Sequence, residues 1–171
     1  CVFCNLTQGN FKGSNLKDVD LRYAILIGAD LSNTNLSGAI LHHANLTGAN
    51  LSGVDLSNTD LTGVNLKGVN LSNTDLTRVN LTGVDLSNTD LTGVDLRYAI
   101  LIGANLSNTN LRGAILHHVN LTGANLSGVD LSNTDLTGAI LKAASQIEII
   151  IKSPSNSNWP ALNEIQNLNV T

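Results

Sequence analysis

Leucine returns at every fifth position. From Leu6 to Leu141 the chain keeps 28 consecutive registers of this kind, and only Phe11 is not Leu. Two residues before each stands a small or β-branched residue, as at Ala24, Ala29, Thr34, Val54, Val64 and Val69. Directly before each stands Asn or Asp, with five Ile exceptions. Two residues after each comes mostly Gly or Asn. A helix cannot use this period, because five steps of about 100° smear the leucines around every face. A flat strand cannot use it either, because an odd repeat sends successive leucines to opposite faces. A short extended piece followed by a corner can. The small residue and the Leu, two apart, then point inward, the residues flanking the Leu point outward, and the corner restores the phase.

The corner chemistry agrees. Fourteen of the 15 glycines fall there, with six asparagines: Asn33, Asn58, Asn73, Asn88, Asn108 and Asn133. These residue types tolerate positive φ best. The Thr that follows each of these Asn is shaped like Val, but its hydroxyl needs a partner on nearby backbone.

The repeat A(D/N)LxG, as in "ANLTGANLSG" at 44–53, resembles the pentapeptide-repeat family over residues 4–144. The resemblance implies an all-β solenoid, a right-handed quadrilateral β-helix with four pentapeptides to the coil. Residues 5–144 then form seven coils, and at about 4.8 Å per coil the rod is about 34 Å long. Burying 28 Leu or Phe side chains gives tens of kcal/mol gross, at about 1.5–3 kcal/mol each, largely offset by chain entropy.

Residues four pentapeptides apart stack in such a rod. One outward column reads Asn15, Asn35, Asp55, Asp75, Asp95, Ile115, Asp135. Asp55, Asp75, Asp95 and Asp135 form a candidate acidic interaction stripe, whose plainest reading is a solvated face. The family resemblance adds a second reading, a DNA mimic that binds a type II topoisomerase such as gyrase. Such mimics are long and strongly acidic, whereas the net charge here is −4. The columns of Asn45 with Asn65 and Asn50 with Asn70 look like stacked amide ladders.

A long stretch occurs twice almost verbatim, opening "LRYAILIGADLSNTNLSGAILHHANL" at Leu21 and "LRYAILIGANLSNTNLRGAILHHVNL" at Leu96. The two begin fifteen pentapeptides apart, a quarter short of four coils, so the copies sit a quarter turn apart. That rotation favours copying of a tolerant repeat over copying of a site. His42 and His43 stack over Arg22 and Tyr23 and under Thr62 and Gly63. His117 and His118 stack over Arg97 and Tyr98 and under Thr137 and Gly138. Metal sites need converging Cys, His or carboxylate ligands, and Arg, Tyr and Thr add none. Tyr23, His42, His43, Tyr98, His117 and His118 are instead candidate contact patches. The outward Ile residues are scattered and read as ordinary surface.

The chain opens at Cys1, already inside the patterned segment, which leaves room for an upstream piece. No signal-peptide pattern begins it, and no apolar run of about 18 residues exists. Gly9 and Ser14 make the first coil irregular, and Phe11 fills the volume that Gly9 leaves. Cys1 and Cys4 fall in inward registers, as a short disulfide or as two buried thiols. Members of the family, many of them cyanobacterial, begin their coils with a similar C-x-x-C-[DN]-L segment. A disulfide points to an oxidising compartment, a periplasm or thylakoid lumen, over the cytoplasm. At Gln146 the period breaks. "QIEIII" looks like one more strand, "SPSNSN" like a linker, and "WPALNEIQNL" like a short helix with Pro160 in its first turn. Residues 145–171 are expected to cap the open end of a 1–144 rod through Trp159, Leu162, Ile165 and Leu168.

No nucleophile stands beside a base, no glycine loop leads a helix, and a core filled by Leu leaves no pocket, so an enzyme is not expected. No catalytic, cofactor-binding or metal site is assigned. The nine Lys and Arg are dispersed and form no basic column, so nucleic acid is not an expected partner. Nor is a membrane. What remains is a non-catalytic rod, a monomer rather than a dimer, that offers faces to an unidentified protein partner.

Overall fold

A computed structural model of the chain describes residues 1–144 apart from 72, 132 and 133. The C-terminal segment with Trp159, Leu162, Ile165 and Leu168 lies outside the described residues. Outward residues before the Leu pair in parallel with their counterparts one coil later, as Asn5↔Ile25, Asn65↔Asp85 and Asn120↔Ile140. The rungs are held by Leu N–H groups donating to the carbonyl of the outward residue one coil on, as Leu6 to Ile25 at 2.7 Å and Leu46 to Asn65 at 3.0 Å, except at Leu66 and Leu71. Each Leu carbonyl accepts from the next inward small residue, as from the Ala24 N–H to Leu21 at 3.0 Å, which closes the corner as a β-turn. Four such corners complete a coil, and the chain is a β-helix solenoid.

Every described corner has a positive φ. Among the described residues the glycines do so from Gly13 to Gly138, and so do Asn33, Asn58, Asn73, Asn88 and Asn108. The corner also admits Phe3, Gln8, Asp18, Tyr23, His43, Arg78, Tyr98, His118 and Ala143, at φ between 55° and 61°. Bulky residues rarely adopt that conformation, at about 1–3 kcal/mol each.

Inside, Leu26 to Leu141 are buried, with Ala, Val and Thr between them. Phe11 does fill the space at Gly9, since a Cβ there would overlap its ring. The Thr hydroxyls act between coils: Thr34, Thr59, Thr74 and Thr109 donate to Phe11, Leu36, Leu51 and Leu86 carbonyls at 2.8–3.1 Å.

The Leu core stays filled, with Leu66, Leu71, Leu86 and Leu91 at most 2% exposed, but the coils part at one surface. A cleft of about 940 Å³ opens where Gly63–Val69 face Gly83–Asp90. The inward small positions beside it are β-branched more often than elsewhere in the rod. Between the coil of 61–80 and that of 81–100, Val64 stacks on Val84, Val69 on Thr89 and Thr74 on Val94, so three of the four stacks are β-branched on both sides. The pair of coils below has two such stacks and the pair above has one. Overfilled interiors displace backbone rather than compress.

Candidate functional site

Asn and Asp before each Leu have a local task. Their side-chain oxygens accept the N–H two residues on, as Asn45 from Thr47 and Asp55 from Ser57 at 3.0 and 2.9 Å. The Thr or Ser hydroxyl at that position often adds a second bond, 2.5 Å from Thr47. Each outward Asn or Asp thus fastens its own turn. Side-chain amides do donate across coils, but at pairs other than the Asn45–Asn65 and Asn50–Asn70 expected: Asn50 to Asp30, Asn105 to Asp85 and Asn125 to Asn105, at 3.0–3.4 Å.

Upon this frame the first copy of the duplicated stretch builds a side-chain cluster. Asp20 and Arg22 flank Leu21, so both project from one face and form an ion pair of 2.6 Å. In the next coil Ile40 replaces the acid, leaving His42 without a carboxylate beside it. His42 reaches diagonally to Asp60 of the following coil, Nε2 to Oδ2 2.6 Å. The Thr62 hydroxyl donates to the other Asp60 oxygen at 2.6 Å. At the neighbouring corner Phe3, Tyr23 and His43 stack with ring centroids 4.9 and 5.2 Å apart. Gly63 ends the stack: a Cβ there would sit 2.5 Å from His43 Nδ1.

The second copy repeats the plan. Arg97 pairs with Asp95 at 2.7 Å, His117 with Asp135 at 2.7 Å, and Tyr98 stacks on His118 at 5.1 Å. Gly138 lies above His118 as Gly63 lies above His43. Arg78 takes the place of Phe3, its guanidinium carbon 5.2 Å from the Tyr98 ring centre.

The carboxylates respond to these partners. The Arg22 side chain, with its backbone N–H, holds Asp20 down at about 2. Burial pushes Asp60 and Asp135 up, but the Thr62 and Thr137 donors and the His42 and His117 rings outweigh it, leaving both below the usual carboxylate range. Burial likewise raises Asp95, and Arg97 more than reverses it.

The acidic column forms as a stack, Asp55↔Asp75↔Asp95, with Ile115 before Asp135. It is not bare, because Arg97 and His117 sit on Asp95 and Asp135. Sequence columns placed both histidine pairs over Arg-Tyr but missed the diagonal His–Asp bonds and Arg78. The signals were present: Ile stands for Asp in the histidine's own coil, and Arg78 occupies a corner register one coil before Tyr98. Cys1 and Cys4 are joined as a disulfide with Cα atoms 5.6 Å apart. Cys1 is exposed and Cys4 half-buried, since the first coil closes only one side of them. Among the described residues no group of three His, Cys, Asp or Glu is placed to hold a metal ion, and no helix is long and apolar enough to cross a membrane.

The sequence matches the pentapeptide-repeat family, as eight copies, over residues 1–38, 39–78, 74–113 and 114–145. No match is found among curated proteins. Among solved structures, a pentapeptide repeat protein of the Arabidopsis thaliana thylakoid lumen is 29% identical, with 60% of this chain and 71% of that one covered and a TM-score of 0.57. A pentapeptide repeat protein from Nostoc is 32% identical, over 54% of this chain and 80% of that one, at a TM-score of 0.47. HetL, a Nostoc pentapeptide repeat protein involved in heterocyst differentiation regulation, is 35% identical over 82% of this chain and 77% of its own, at a TM-score of 0.36.

Proposed function

We propose that this chain, which belongs to the pentapeptide-repeat family, is a non-catalytic rod that docks a protein partner on its duplicated cluster. One observation carries the reading. The rod holds Tyr and His at left-handed corners, twice, where Gly serves with less strain. A purely structural repeat gains little from that choice. A surface that presents Tyr23 and Tyr98, 46% and 51% exposed, beside paired Arg, His and Asp groups gains contacts suited to a partner.

The rod acts as a monomer of seven right-handed coils, with 1–144 as the β-helix and 145–171 as its cap. Deleting residues 153–171 then exposes the last coil, and light scattering should report aggregation; a soluble monomer of unchanged stability removes the cap from the account. The Cys1–Cys4 disulfide supports an oxidising compartment, a periplasm or thylakoid lumen. Two free thiols on titration of unreduced protein contradict that placement.

A DNA mimic acting on gyrase is the second reading, resting on the Asp55–Asp75–Asp95 stack. Arg97 and His117 weaken it by interrupting the negative potential. The experiment that separates the two uses folded protein as bait in lysate of its own organism, followed by mass spectrometry. Capture that survives Asp55→Asn, Asp75→Asn and Asp95→Asn together but fails with Tyr23→Ala and Tyr98→Ala supports the docking cluster. Recovery of gyrase subunits, with inhibition of supercoiling lost in the Asn variant, supports the mimic.

A further inference from the structure

The cleft coincides with a break in the hydrogen-bonded ladder. Among the described residues between the coil of 61–80 and that of 81–100, the N–H groups of Gly63, Leu66, Gly68, Leu71 and Asn73 do not reach the carbonyls of Thr82, Asp85, Ser87, Asp90 and Thr92. Those of Asp85 and Asp90 do not reach Val64 and Val69. Asn65 keeps its parallel pairing with Asp85, and Asp75 with Asp95. The same rungs are closed in the coils on either side, as Leu46 to Asn65 at 3.0 Å and Leu86 to Asn105 at 2.8 Å. The far side of the broken pair keeps Leu76 to Asp95 at 3.1 Å, Arg78 to Arg97 at 2.9 Å and Ile100 to Val79 at 2.9 Å, though the Asp95 N–H does not reach Thr74, and Leu61 bonds to Asn80 at 2.8 Å where one coil passes into the next.

A second observation agrees. Four Thr hydroxyls donate to a Leu or Phe carbonyl in the coil below. Thr89 instead turns to Leu86 of its own turn at 2.6 Å, away from Leu66 across the cleft. Thr134, beside the undescribed residues 132 and 133, does the same with Leu131. At Thr89 the loss falls on the crowded stack over Val69.

We propose that the rod is hinged between these two coils. The closed side, through Leu61–Asn80 and Leu76–Arg97, acts as the pivot, and the faces of 63–71 and 82–90 open and close. β-Branched residues at three of four inward stacks keep the wedge from sealing. The hinge separates the two copies of the duplicated stretch, so opening tilts the Asp20–Asp60 cluster against the Asp95–Asp135 cluster. Resting on the docking reading, this lets two fixed chemistries engage a partner whose contact points vary in angle.

Amide hydrogen exchange of the full chain, without any partner, tests the hinge apart from the docking. Leu66, Gly68, Leu71, Asp85 and Asp90 should exchange at least about tenfold faster than Leu46, Leu51, Leu106 and Leu111. Combining Val84→Ala with Thr89→Ala should bring them back to the flanking rates. Equal, slow exchange in the native chain overturns the hinge. Spin labels on otherwise native protein give a second reading, at Ile27→Cys with Ser127→Cys on the opening side and Ser37→Cys with Thr137→Cys on the pivot side. Both pairs span five coils, about 24 Å. A broader distance distribution on the opening side is expected; equally narrow distributions overturn the proposal. A hinge without capture, or capture without a hinge, tells which of the two readings has failed.

Discussion

The two copies of the duplicated stretch differ in what lies beneath them. Under Tyr23 sits the Phe3 ring beside the disulfide, and under Tyr98 sits the Arg78 guanidinium. Above that level both copies build the same Asp–Arg pair, the same diagonal His–Asp bond and the same Tyr–His stack. The cluster therefore does not depend on its foundation. All its partners lie within 20–63 in one copy and 95–138 in the other, so a three-coil segment carries it wherever the segment is placed. A quarter-turn rotation between copies does not disturb it, because each partner is set by the coil above or below.

That equivalence is open to attack at several scales. The largest effects come from the core. Leu41→Ala and Leu116→Ala, at matching positions and fully buried, should each lose about 2–5 kcal/mol in urea unfolding and agree within about 1 kcal/mol. A larger gap between them means that the copies sit in different interiors. Next are the glycines that admit the imidazoles. Gly63→Ala and Gly138→Ala meet both a left-handed φ and the His ring, so about 1–3 kcal/mol should go with loss of the His stacking. Gly48→Ala at φ +66, with open space around it, isolates the backbone cost, which thermal unfolding should place lowest of the three.

The foundation comes third. Phe3→Ala and Arg78→Ala should each cost at most about 1 kcal/mol, and the Tyr98–His118 stack should persist without Arg78. Collapse of that stack in NMR ring-current shifts contradicts the independence of the cluster. The smallest effect is acid sensitivity. The folded carboxyls of Asp20, Asp60, Asp95 and Asp135 lie below their ordinary value. A depressed folded pKa stabilises above the unfolded value, about 3.9, and that stability is lost as pH falls toward the folded one, about 2 for Asp20. These groups should therefore leave the melting temperature flat between pH 7 and about 5 and lower it below about 4. Asp20→Asn should reduce the acid response, and an unchanged acid curve removes the Asp20–Arg22 pair from the account.

The period of five made the inward and outward registers legible, because burial of Leu and the left-handed corner are both properties of single residues. The stack of His43 on Tyr23 was legible for the same reason, as a spacing of one coil. The bond from His42 to Asp60 was harder, since it runs diagonally and depends on Ile40 having displaced the nearer acid. The task of Asn45 or Asp55 in fastening its own turn was hidden too, because outward columns invite a reading between coils first. The cleft at Val69 and Thr89 was least accessible. Each residue there fits its register, and only the run of three neighbouring stacks that are β-branched on both sides marks the place.

The docking account is tested most directly by taking the copies apart. The partner captured by native protein would be offered a variant with Tyr23→Ala and His42→Ala, another with Tyr98→Ala and His117→Ala, and one with all four, each shown by circular dichroism to keep its fold. Partial loss of capture with either pair, and complete loss with all four, is the predicted result. Undiminished capture by the fourfold variant contradicts the claim that the duplicated cluster is what this rod presents to its partner.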